Sequence, residues 1–196
     1  VSGSPSERLR WLLLALSLAP CLAVAAVQGT PPLPTGLQKT FEATRSDVAS
    51  TVDAAWIDAM QRRLASHLPD ADRRRTLLRR VRAEARLAGL DPQIVLAVIQ
   101  VESGFRTQAE SPAGARGLMQ VMPFWKRVLG RADDDLHDPA TNLRYGCTIL
   151  AYYLRQEHGD LTRALARYHG SRGRTDYPER VMRAWQRHWW LADHRH

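Results

Sequence analysis

Glu102 stands out chemically. It follows the run Ile94-Val95-Leu96-Ala97-Val98-Ile99-Gln100-Val101, which is apolar almost all round a helix and so belongs in a protein interior. Burial disfavours an ionised carboxylate, and the partial negative charge at a helix C-terminus opposes it further, so both effects raise the pKa. A carboxyl group that keeps its proton near neutral pH is what general acid catalysis needs. If the side chain simply reached solvent past Gly104, the same glutamate would be chemically idle. Acid/base mechanisms often set a second carboxyl group near the first. Glu110 and the run Asp133-Asp134-Asp135 could supply the second, although three consecutive aspartates also read as a polar loop.

Four segments accompany the acid in order. They are Glu102-Ser103-Gly104-Phe105, then Ser111-Pro112-Ala113-Gly114-Ala115-Arg116-Gly117-Leu118-Met119-Gln120-Val121-Met122-Pro123, then Asn142-Leu143-x-x-Gly146-x-x-x-Leu150, and finally Ala164-Leu165-Ala166-Arg167-Tyr168-His169-Gly170-Ser171. Taken together they resemble the catalytic domain of the soluble lytic transglycosylases, a lysozyme-like family that cleaves bacterial cell-wall peptidoglycan. The resemblance runs from Leu90 to Val181. It implies that Glu102 is the single catalytic acid/base and that Ser111, Met119, Gln120 and Met122 sit in the saccharide groove, with Gly117 allowing close backbone approach. It also implies that Tyr168 hydrogen-bonds the catalytic carboxylate, that Asn142 and Gly146 are structural, and that Glu179 is a groove carboxylate. Where the family usually has Tyr-Asn, this chain has Tyr168-His169. His169 is therefore a substrate contact with a titratable proton in place of an amide, or a solvent-facing residue without effect.

The implied reaction is non-hydrolytic. Protonated Glu102 gives its proton to the oxygen between N-acetylmuramic acid and N-acetylglucosamine, and the sugar's 2-acetamido group stabilises the charge at C1. The C6 hydroxyl then closes a 1,6-anhydro ring. The resemblance implies no metal and no organic cofactor. Two other functions fit the same residues: a hydrolytic muramidase, and a peptidoglycan-binding or scaffold protein with weak turnover.

Helices must position these groups. Apolar residues recur at helical spacing, breakers fall at helix-length intervals and strand-like alternation is absent, so an all-α fold is expected over 53–196; the resemblance implies that it is lysozyme-like, with extra N-terminal helices. A first helix runs from Asp53 to His67 on Trp56, Ile57, Met60 and Leu64. Asp70 caps a second, closed by Gly89, with Leu77, Leu78, Val81 and Leu87 on one side. Arg73, Arg74, Arg75, Arg79, Arg80 and Arg82 crowd the other side, as a solvated face or a phosphate-binding one. Asp91-Pro92 starts the helix that carries Glu102, and Gly104 ends it. Further helices are predicted over Pro123–Leu129, Asn142–Gln156, Leu161–Tyr168 and Pro178–Trp190. Trp185, Trp189 and Trp190 either anchor the last helix or touch a membrane surface. Phe124, Trp125, Tyr145, Tyr152 and Tyr153 serve packing or stack on sugar rings.

Composition sets the outer bounds. Apolar residues make up 44% and charged residues 24%, which excludes wholesale disorder. The formal charge is +8, and 26 of the 28 cations are arginine. That favours an anionic partner such as the acidic wall polymer; no nucleic-acid partner is expected, and a monomer is. Two cysteines are too few for a disulfide framework, and Cys147 reads as a buried hydrophobe. Arg8 and Arg10 precede an uncharged run of 17 residues, Trp11 to Val27, ending near Ala23-x-Ala25. That is the pattern of a cleaved secretory signal over 1–27. A retained anchor and a lipoprotein cysteine at Cys21 are the other two readings. All three place the remainder outside the cytoplasm, which the resemblance makes the periplasm; the anchor and lipoprotein readings add membrane association through the N-terminus, and a role within cell-envelope machinery is open by analogy. Residues 28–52, with Pro31, Pro32 and Pro34, read as a linker.

Overall fold

Capping residues fix the helix ends. The computed structural model describes residues 53–192, and the predicted signal and linker lie outside them. α1 (53–64) is followed by α2 (Ala71–Ala88), α3 (Pro92–Ser103), α4 (Trp125–Leu129), α5 (Pro139–Gln156), α6 (Leu161–Tyr168) and α7 (Asp176–Ala184), which continues into a π-helical turn, Trp185–Trp189. The Asp70 carboxylate accepts from the N–H groups of Asp72 and Arg73, and Gly89 closes α2 at φ 71°. Asp91 accepts from the Gln93 N–H ahead of Pro92, and Gly104 closes α3 at φ 57°. A left-handed residue at a helix end costs glycine least. The same Asp-Pro device starts α5 at Asp138-Pro139, ahead of the predicted Asn142, with the Asp138 carboxylate accepting from the Thr141 N–H.

The described residues are all-α, as expected, with two isolated antiparallel bridges, Glu110–Arg116 and Arg116–Val121, folding the α3–α4 connection back on itself. α3 packs against α2, α7 and the π turn, and Val95 through Ile99 are fully buried. Trp56, Met60 and Leu64 bring α1 onto the same core. Trp189 is completely buried, and its indole N–H donates to Gln100 Oε1 at 2.6 Å, which ties the last turn to α3. Trp185 is half-buried and Trp190 is exposed. Cys147 is buried as expected, which pushes its thiol up to about 12.

Two side chains of α2 depart from the expected faces. Leu87 is 78% exposed, because ten residues beyond Leu77 fall about a quarter-turn off the apolar stripe. Arg82 is buried, next to Leu78 and Ala85 on the helix surface. Its charge is matched by the Asp53 carboxylate at 2.5 Å, and its guanidinium lies 4.9 Å from the centre of the Trp56 ring. No helix among the described residues is long and apolar enough to cross a membrane.

Candidate active site

The apolar helix α3 delivers Glu102 one residue before its end, and Gly104 then turns the chain away. Phe105 also takes a positive φ, 68°, a conformation unfavourable for a bulky residue. Burial of its ring against Trp189, at 5.4 Å between centroids, holds it there. The segment that follows lacks regular structure, yet its polar groups are tied down one by one. The Ser103 hydroxyl lies 2.8 Å from the Leu118 carbonyl and 3.1 Å from that of Ile99, pinning the loop to the end of α3. Asn142, fully buried on α5, accepts from the Met119 N–H at 2.8 Å and donates to the carbonyls of Arg116 and Leu136 at 2.8 and 2.7 Å. Buried polar groups satisfied in this way make an irregular segment rigid.

Two glycines make that packing sterically feasible. A Cβ on Gly117 would sit 2.3 Å from the Leu136 carbonyl oxygen and 2.4 Å from the Asn142 amide. A Cβ on Gly146 would sit 2.4 Å from Met119 Sδ. The close approach at Gly117 is thus made by protein backbone and the Asn142 side chain.

Glu102 opens into a groove of 250 Å³ whose walls include Ser111, Gln120, Met122, Trp125, Tyr168 and His169. Six sequence-predicted residues (Glu102, Ser111, Gln120, Met122, Tyr168 and His169) therefore converge on one surface. Ser111 Oγ accepts from the Ala115 N–H at 3.0 Å, and the Gln120 amide donates to the carbonyls of Gly117 and Ala109 at 2.9 and 3.2 Å.

Three of the predicted residues lie differently from the expectation. Met119 is fully buried beneath the groove, because its side chain fills the space left by Gly146. Tyr168 lines the groove, but its hydroxyl donates to the Met119 carbonyl at 2.7 Å and not to the carboxylate. Glu179 is exposed on the first turn of α7 and is not part of the groove wall. The hydroxyl on Glu102 belongs to Tyr177, which donates to Oε1 at 2.6 Å. Sequence reasoning missed Tyr177. Its spacing with Val181 and Ala184 marks only a buried helix face, and nothing in that pattern aims its hydroxyl at a residue 75 positions away. The His169 ring stacks on Tyr177, with centroids 4.3 Å apart and planes 13° from parallel.

Electrostatics follow from this packing. Burial raises Glu102 from 4.5 to about 7, against the Tyr177 hydrogen bond and the nearby Arg180, which both pull it down. Near neutral pH the group is therefore divided between acid and base. Burial first, and then the charge of Glu102, push Tyr168 and Tyr177 upward, so both stay protonated. Burial, together with Arg180 and Arg174, lowers His169 and keeps it largely neutral. Glu110 lies 3.6 Å from the Arg116 guanidinium, and Asp134 accepts from the Tyr145 hydroxyl at 2.5 Å. Asp135 accepts from the His137 N–H, and Asp133 faces Arg131. Among the described residues Glu102 is the one carboxylate lining its groove. A larger concavity of 1040 Å³ lies between α2 and residues 104–110, and Glu102 is absent from its walls.

The transglycosylase SLT domain family model matches residues 80–186. A transglycosylase of Enterobacteria phage PRD1 is 36% identical over 101 residues, covering 48% of this chain and 37% of the relative. Membrane-bound lytic murein transglycosylase C of Mannheimia succiniciproducens is 36% identical over 95 residues, covering 44% of this chain and 26% of the relative. The matched chain thus spans well under half the length of these relatives. Among solved structures, an inactive variant of lytic transglycosylase Slt from Pseudomonas aeruginosa aligns at 29% identity and a TM-score of 0.43, covering 59% of this chain and 18% of that one.

Proposed function

The chain belongs to the transglycosylase SLT domain family, and on that premise we propose that it is a peptidoglycan lytic transglycosylase. It cleaves the β-1,4 bond between N-acetylmuramic acid and N-acetylglucosamine without water and leaves a 1,6-anhydro end. The observation that carries this reading is the groove carboxyl group itself: among the described residues Glu102 is the one carboxylate lining the groove, and burial raises it to about 7. A single group poised between its two forms suits a reaction that first spends a proton and then recovers one.

In the first step protonated Glu102 gives its proton to the bridging oxygen, the C1–O bond breaks, and N-acetylglucosamine leaves with a new hydroxyl. The 2-acetamido oxygen of the muramic residue bonds to C1 and carries the positive charge as an oxazolinium. In the second step Glu102, now ionised, removes the proton of the C6 hydroxyl. The C6 oxygen attacks C1, the acetamido oxygen departs, and the acid is regenerated. The nucleophile belongs to the same sugar, so its effective concentration is high and no water has to be held.

Tyr177 positions the carboxyl group and stabilises its ionised form between the two steps. Ser111, Gln120, Met122, Tyr168 and His169 form the saccharide wall, and Met119 supports it from below. The relatives' names support a bacterial envelope location, and the periplasm follows from the predicted signal.

Mass spectrometry of muropeptides released from purified peptidoglycan by the wild type and by Glu102→Gln tests the reading. Ends lighter by one water than reducing ends, absent with the variant, are the expected result. Reducing ends would mean a hydrolase, and release that persists with the variant would remove Glu102 from its role.

A further inference from the structure

Arg180, Arg183 and Arg187 follow one another along α7 and its π turn, three and four residues apart and so on one side. With Gln100 and Val101 of α3 they line a shallow concavity of 260 Å³. All three arginines are exposed, and among the described residues none has a carboxylate within 4 Å. Some other arginines are paired, Arg86 with Asp53, Arg144 with Glu84 and Arg167 with Glu157, whereas Arg75, Arg79, Arg127 and Arg155 likewise meet no carboxylate among the described residues; what marks this trio is its row along α7 beside the end of α3. Glu179 has the helical spacing to meet Arg183 and does not.

This strip begins near the groove, since Val101 in its wall precedes Glu102. The Arg180 guanidinium lies 5.8 Å from the centre of the Tyr177 ring, whose hydroxyl meets Glu102 and whose face carries His169. A sugar held at Glu102 therefore has the first of three exposed cations near it and the other two leading away along α7.

We propose that this strip binds the carboxylates of the stem peptide carried by the N-acetylmuramic acid unit, an assignment that rests on the function proposed above. The lactyl arm of that sugar is the point where a peptide leaves the glycan, beside the bond that Glu102 protonates. Seven helical residues separate the outer arginines, a rise of about 10 Å, and an extended peptide covers that length in about three residues. Carboxylates two or three residues apart along such a peptide can each meet a guanidinium, whose planar fork suits them. A membrane surface would instead call for a broad, flat basic face, which a concave row between two helices does not offer.

The test uses the full chain and two soluble ligands, a disaccharide bearing its tetrapeptide and the same disaccharide without it. The quantity read is the ratio of the two Kd values, by anisotropy of the labelled ligands, for the wild type and for Arg183→Ala/Arg187→Ala. Loss of two exposed ion pairs should cut the preference for the peptide-bearing ligand roughly three- to tenfold, and Arg183→Glu/Arg187→Glu should cut it further. Thermal melts of each variant verify folding. An unchanged ratio overturns the proposal, as does vesicle binding, with anionic phosphatidylglycerol as the probe, that collapses in the variants while the ratio stands. Binding is read without turnover, so an arginine-dependent preference in a chain that releases no anhydro ends would refute the lytic function and leave the strip in place.

Discussion

Glu102 should make the protein less stable than it would be without a titratable group there, and the penalty should depend on pH. The folded state holds this carboxyl at about 7, against an ordinary glutamate value of 4.5. Between those two values the folded chain binds more protons than the unfolded one, so stability falls as pH rises through the window. At about 1.4 kcal/mol per pH unit, the loss completed above pH 7 is about 3 kcal/mol. Glu102→Gln removes the charge, keeps the size and still offers an oxygen to the Tyr177 hydroxyl. It should match the wild type below pH 4.5 and exceed it by about 3 kcal/mol at pH 8. For a folded region of this size that is a gain of about 10 °C in Tm. Thermal or urea unfolding of both proteins from pH 4 to pH 9 measures it. A difference that does not change with pH, or a variant less stable than the wild type at pH 8, would refute the burial on which the acid's behaviour rests.

Two further substitutions probe the groups around the acid. Tyr177→Phe removes a hydrogen bond that favours the ionised carboxylate; at about 1.5–3 kcal/mol for a bond to a charged group, the alkaline limb of the pH–rate profile should move up by about one to two units. Anhydro-muropeptide release across pH 5 to 10 reads this, and a profile displaced towards acid would contradict it. Asn142→Ala strands the Met119 N–H and removes a donor from two carbonyls in a buried site; unfolding stability should drop by about 3–5 kcal/mol. Denaturant unfolding at pH 7 checks that loss, and a drop below 1 kcal/mol would mean that the loop is held by something else.

The parts of this molecule legible in its sequence are those decided by neighbours along the chain. Asp70, Asp91 and Gly104 mark helix ends because caps act within one turn. Glu102 declared its raised pKa because the apolar run that buries it is contiguous with it. Asp138-Pro139 carried the same start signal as Asp91-Pro92, and α5 begins there and not at Asn142. What stayed illegible depends on residues far apart in sequence. Met119 faces Gly146 and not the groove because the loop is held by Asn142, 23 positions on. Tyr168 and Tyr177 both point toward the end of α3, and only the packing of α6 and α7 decides which hydroxyl meets the acid. The change from α-helix to π turn at Trp185 likewise serves a distant need, the burial of Trp189 and its bond to Gln100.

The arrangement separates what holds the loop from what does the chemistry. Ser103, Asn142 and the Tyr168 hydroxyl spend their hydrogen bonds on the backbone of residues 116–119, on Leu136 and on Ile99. None of those bonds reaches the carboxyl group of Glu102, so the loop is rigid whichever protonation state the acid adopts. The acid's own contact comes from Tyr177 on α7, and the same tyrosine carries His169 on its face and has the Arg180 guanidinium nearby. Substitutions at the more exposed His169 and Arg180 should therefore tune the acid and its ligand preference at little cost in stability, whereas substitutions at Asn142, Gly117, Gly146 or Tyr168 should act through the fold. The pairing of Tyr168 with His169 fits that division. His169 alters a surface that faces substrate and rests on Tyr177, while the hydroxyl one residue earlier continues to brace the floor beneath it.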